Sequence, residues 1–144
     1  MLRSGMMGWL TIMTDTNAWT AEQHAEAKAE ISLYKTELRP LIREANLYHI
    51  SPRPDGVHWD GMEYWDPGRR HGVVFAFHGS IATEPSHSFP LKGLRTDARY
   101  TVHFRDHSGP DLVVAGRELM SGGLKVDLPL SQSSELIFIE EVTR

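Results

Sequence analysis

The chain has 144 residues, 40% of them hydrophobic and 24% charged, with a formal net charge of -4 at pH 7. That length and apolar content suit one domain, or one domain with an appendage, and exclude a disordered tail. The acidic balance lacks the basic excess that a phosphate backbone demands, which argues against nucleic acid as a partner, and the absence of cysteine removes disulfides, thiolate nucleophiles and thiolate zinc sites.

Residues 1–13 are apolar but interrupted by Gly5 and Gly8, and they read as protein interior. No apolar run approaches the roughly 20 residues needed to span a bilayer, so no membrane association is expected. Thr20-Ala21-Glu22-Gln23 forms a capping box that predicts a helix beginning at Ala21. Ala27, Ile31, Tyr34, Leu38 and Leu41 then recur in steps of four and three, one stripe of that helix, while Glu22, Glu26, Glu30, Lys35 and Glu37 read as its solvated face. Pro40 lacks an N–H and its ring clashes with the Thr36 carbonyl, so a kink or a restart is expected there.

The character changes near Asn46. Short segments broken by Gly, Pro and Asp follow, and eight of them read as strands: 47–51, 61–66, 72–79, 88–91, 99–106, 112–115, 124–128 and 135–141. Asp66-Pro67-Gly68 reads as a hairpin turn, with Pro fixing φ and Gly taking positive φ, so the second and third strands are expected to pair antiparallel. Tyr100, Val102 and Phe104 alternate with Thr101, His103 and Arg105, one face packed and one wet. Segments 73–77 and 136–139 are apolar on both faces and should be central.

Candidate chemistry is sparse. No nucleophile elbow, phosphate-binding loop or zinc-protease motif occurs, and no cofactor is expected. His103 and His107 would stand roughly 13 Å apart along a strand, too far to share an ion, so no metal site is expected. Asp55, Asp60, Glu63 and Asp66 are close in sequence as a glycosidase pair would need, yet Pro54-Asp55-Gly56, Asp60-Gly61 and Asp66-Pro67 each fit an Asx-type turn. Trp59 and Trp65 are the candidate sugar-stacking residues, since sugars lay their apolar faces on indole rings. Tyr64 and Trp65 point to opposite faces of a strand, so at most one of them joins a shared platform, and ordinary packing is the competing reading.

Taken in order, the segments resemble the tail of glycoside hydrolase family 36, the α-galactosidase-like enzymes, across nearly the whole chain. Arg3-Ser4-Gly5-Met6-Met7-Gly8 followed by Trp19-Thr20-Ala21-Glu22 resembles the end of the catalytic barrel leading into its last helix. Ile31-Ser32-Leu33-Tyr34-Lys35 with Arg39-Pro40-Leu41-Ile42 resembles that helix's tyrosine-lysine signature, and Asn46-Leu47-Tyr48-His49-Ile50 its exit into the first sandwich strand. Gly72-Val73-Val74-Phe75-Ala76-Phe77 resembles the third strand, and Leu91-Lys92-Gly93-Leu94 with Tyr100-Thr101-Val102 the leucine-glycine-leucine turn and the strand after it. Gly116-Arg117-Glu118-Leu119-Met120 with Gly123-Leu124 resembles a late hairpin, and 134–139 the closing strand.

The resemblance implies a mainly β fold, an antiparallel β-sandwich of about eight strands over 47–144, with residues 1–46 left from the end of a (β/α)8 barrel, including its last helix. It implies a parent that hydrolyses α-galactosidic bonds with retention through two barrel aspartates roughly 5 Å apart. The resemblance puts those aspartates on barrel strands upstream of Met1 and matches Asp15 to a turn position, so no catalytic residue is assigned and this chain alone is expected to be inactive. The expected partner is the upstream catalytic barrel. A carbohydrate-binding module using Trp59 or Trp65, and a homo-oligomer formed through uncovered barrel-facing surface, are the alternatives.

Overall fold

The structure, a computed structural model, describes residues 2–81 and 83–143. Met1 and Arg144, the outer bounds of the two expected segments, lie outside the described residues, as does Ala82. The chain divides after Glu44 into two compact units.

The first unit is helical. A short helix α1 (Leu2–Gly5) and a 3-10 turn (Thr16–Ala18) precede α2 (Ala21–Leu33). Asp15 caps the 3-10 turn, its Oδ1 accepting from the Asn17 amide at 2.9 Å. The capping box forms as the sequence predicts: the Gln23 amide donates to Thr20 Oγ1 at 3.2 Å and the Thr20 amide to Gln23 Oε1 at 2.9 Å. Ahead of Pro40 the helix widens into a π segment (Tyr34–Leu38) before continuing as α3 (Arg39–Glu44). There the Arg39 amide donates to the carbonyl of Tyr34, five residues back. Proline gives the Thr36 carbonyl no donor four residues on, and the wider turn absorbs that loss without a break.

Ala27, Tyr34, Leu38 and Leu41 of the expected stripe are buried, Ile31 is half-buried, and Leu33 joins them because a π turn rotates the faces on its two sides relative to each other. Glu30, expected on the solvated face, is instead half-buried and lies 3.7 Å from Arg3. The reading of residues 1–13 as interior is corrected: only Met6 among those whose burial is described is buried, while Trp9 is 93% and Met13 91% exposed.

The second unit holds eight strands, β1 (Asn46–His49), β2 (Asp60–Asp66), β3 (His71–Phe77), β4 (Ser86–Phe89), β5 (Arg99–Phe104), β6 (Leu112–Ala115), β7 (Leu124–Asp127) and β8 (Ser134–Glu141). Six form one antiparallel sheet in the order β1-β2-β3-β8-β5-β6, and β4 pairs with β7 in a second. The segments apolar on both faces, β3 and β8, are the central pair. One face of the large sheet carries Trp65, Val74, Ala76, Ile137, Ile139, Tyr100, Val102 and Phe104 into a core shared with Phe89, Leu91, Leu94, Leu119, Leu124 and Val126. The other face buries Tyr64, Val73, Phe75 and Leu136 near its middle. This is the expected mainly β, two-layer antiparallel architecture.

Two local expectations are revised. The β2–β3 turn forms at Asp66, whose Oδ1 accepts from the Gly68 and Arg69 amides at 2.8 and 3.1 Å, but the positive φ falls on Arg70 at 55° and not on Gly68. The expected late hairpin is a helix, α4 (Gly116–Ser121), because β6 and β7 belong to different sheets and the chain must cross between layers.

Candidate functional site

Both candidate stacking residues are core residues. Trp59 is 7% exposed, with the His78 and His87 imidazoles stacked near-parallel to the indole at 4.6 and 5.6 Å and Phe89 edge-on at 6.1 Å. Its Nε1–H donates to the Glu84 carbonyl at 3.2 Å. Trp65 is 3% exposed, packs edge-on to Tyr100 at 5.5 Å and covers Gly72, where a Cβ would come within 2.7 Å of its ring. A sugar platform needs an open indole face, and neither residue has one. Burial also pushes the His87 imidazole below its usual range, with Glu84 opposing.

The four clustered carboxylates separate. The Asp55 carboxylate accepts from the Val57 and His58 amides at 2.8 and 2.9 Å and lies 2.7 Å from His58 Nδ1, contacts that hold it below the ordinary carboxylate range, the His58 amide first among them. Asp66 serves the β2–β3 turn as expected. Asp60 does not make its expected turn: its Oδ1 accepts the Ser51 hydroxyl at 2.7 Å, and that hydroxyl oxygen accepts from the Gly61 amide at 3.0 Å.

Glu63 is 1% exposed on the core face of β2, beside Trp65. Its Oε2 accepts from the Lys92 amide at 2.7 Å, and its Oε1 is buried with no hydrogen-bond partner among the described residues. Desolvation raises its pKa from 4.5 to about 7, against the pull of the Lys92 amide and ammonium. A second buried carboxylate, Glu135, is fully covered. It accepts from Asp106 and Leu136 amides on Oε1 at 2.9 and 2.8 Å and from the Ser108 amide on Oε2 at 3.0 Å, fastening the β5–β6 connection to the start of β8. The sequence reading missed both roles. The strand alternation that puts Glu63 on the face of Trp65 was the available signal for one, and nothing local marked the other.

Elsewhere the exposed His103 Nδ1 lies 2.8 Å from Asp111 Oδ1, and the half-buried His71 stacks on Phe138. Among the described residues no three His, Asp or Glu side chains converge as a metal set, and no helix is long and apolar enough to cross a membrane.

Fold and side-chain placement together define a two-layer antiparallel β-sandwich domain with its tryptophans packed inside. The profile of the glycosyl hydrolase family 36 C-terminal domain matches residues 59–139, and the chain belongs to that family. In three dimensions it is similar to a family 36 α-galactosidase from Geobacillus stearothermophilus solved in complex with 1-deoxygalactonojirimycin, with a TM-score of 0.74 and 22% identity. That likeness covers 97% of this chain and 19% of the other, so the chain spans about a fifth of the length of the enzyme it matches. No curated protein sequence matches it.

Proposed function

We propose that this chain is the non-catalytic C-terminal part of an α-galactosidase-like glycoside hydrolase, in which it supports the catalytic barrel. The observation that carries this reading is coverage: the likeness takes in the helical unit as well as the sandwich, yet only 19% of the α-galactosidase. In this reading residues 1–46 are the end of the barrel with its last helix, residues 47–144 are the sandwich, and exposed Trp9 and Met13 are surface that the barrel covers. Hydrolysis with retention belongs to two barrel aspartates roughly 5 Å apart. Three of the carboxylates hold turns and loops: Asp55, Asp66 and Glu135 each accept from at least two backbone amides.

The purified 144-residue protein is expected to show no turnover of an aryl α-galactoside. Turnover that persists after contaminating enzyme is excluded overturns the proposal. Titration with galactosides is likewise expected to leave tryptophan fluorescence unchanged. A saturable shift lost in Trp59→Ala or Trp65→Ala would instead favour a sugar-binding module, against the burial of both indoles. Light scattering tests whether the uncovered surface makes the protein self-associate.

A further inference from the structure

We propose that Glu63 is a proton-controlled clamp within the sandwich: its neutral carboxyl keeps the turn at residues 91–94 closed over β1 and β2, and its ionisation releases that turn. The geometry begins with the neighbours of Glu63. Tyr48 of β1 stands opposite it on one side and Val74 of β3 on the other. The turn makes three ties. The Lys92 amide donates to Glu63 Oε2 at 2.7 Å, Lys92 Nζ donates to the His49 carbonyl at 2.8 Å, and the Leu91 amide donates to the Leu119 carbonyl at 3.0 Å. Gly93, at φ 71°, fits so tightly against Tyr48 that a Cβ would lie 2.6 Å from the phenol oxygen.

Among the described residues, β1 and the turn bring the Tyr48 phenol and the Lys92 ammonium to the Glu63 side, while β3 presents Val74 and β2 itself presents Gly61 and Trp65 on that face. An ionised carboxylate is acceptor-only, and burying it is costly unless donors meet both oxygens. The closed arrangement offers Oε2 one backbone amide and Oε1 none. Strands β1, β2 and β3 are locked by continuous pairing, so the turn is the element whose displacement admits water to Oε1. The Lys92 amide and ammonium oppose this release, since both favour the charged form, but the desolvation of a buried carboxylate with one bare oxygen outweighs them. Because the turn holds β1 through His49 and Tyr48, the grip on the first strand after the helical unit becomes pH-dependent.

Amide hydrogen exchange followed by NMR on the 144-residue protein tests this. A solvated carboxyl in the open form is expected at the ordinary 4.5, against about 7 in the closed form. The Lys92 protection factor should therefore fall about 100-fold between about pH 5 and about pH 8, relative to that of Arg105, whose amide donates to the Leu136 carbonyl in another connection. In Glu63→Gln the Lys92 factor should track that of Arg105 throughout. A Lys92 factor that tracks Arg105 in the wild-type protein, or falls equally in the variant, overturns the proposal. If the variant does not fold, carbon-13 titration of the wild-type Glu63 carboxyl decides. Loss of Lys92 protection in step with its midpoint upholds the clamp, and protection that does not follow the midpoint overturns it.

Discussion

Two places on the same face of the six-stranded sheet treat a buried carboxyl group differently. At the start of β8, Glu135 meets three backbone amides and becomes part of a loop's hydrogen bonding. On β2, Glu63 is just as deeply covered but meets one. Burial is common to both, so they differ in the number of donors aimed at the oxygens, and it is the sparsely met Glu63 whose pKa desolvation raises to about 7. Asp55 supplies the contrasting case, with its acceptor geometry out in water.

Removal of Glu135 is the severest way to sharpen this comparison. Glu135→Leu leaves three amides without an acceptor, and at about 1–3 kcal/mol for each the loss should be about 4 kcal/mol in urea denaturation. Next comes the pH response of Glu63. Its folded-state pKa of about 7 lies above the ordinary 4.5, so the folded protein binds this proton more tightly than the unfolded chain. The associated stability is fully present below pH 4.5, declines as pH rises toward about 7 and is gone above it, with a ceiling of about 3 kcal/mol. Stability curves of the wild type and Glu63→Gln should diverge across that window, and parallel curves would break the comparison. Glu63→Leu strands a single amide and should cost about 1 kcal/mol at neutral pH or less. If it costs as much as Glu135→Leu, donor number is not the deciding variable. The smallest effect is expected for Asp55→Ala, where water replaces the lost acceptor and the melting temperature should stay essentially unchanged.

The eight strands were legible in the sequence because each rule involved is local. Period-two alternation at Tyr100, Val102 and Phe104, the doubly apolar 73–77 and 136–139, and the Thr20–Gln23 cap all act within a few residues. Pro40 announced a disturbance for the same reason, although its form, a π segment, depends on which carbonyl accepts the Arg39 amide. Other features could not be read this way. The helix at Gly116–Ser121 follows from β6 and β7 lying in different layers, which no window of sequence contains. Trp59 and Trp65 looked equally available to a ligand until His78, His87 and Tyr100, distant in sequence, came to lie against them.

The sequence by itself thus determined where the helix starts, where the strands run and which side chains alternate inward, since those follow from backbone periodicity and capping. Only the tertiary structure decided the charge environment of the buried carboxyl groups. Glu63 is 29 residues from the amide it holds, and Glu135 is 29 and 27 residues from two of its three donors, so their surroundings exist only once the strands have paired.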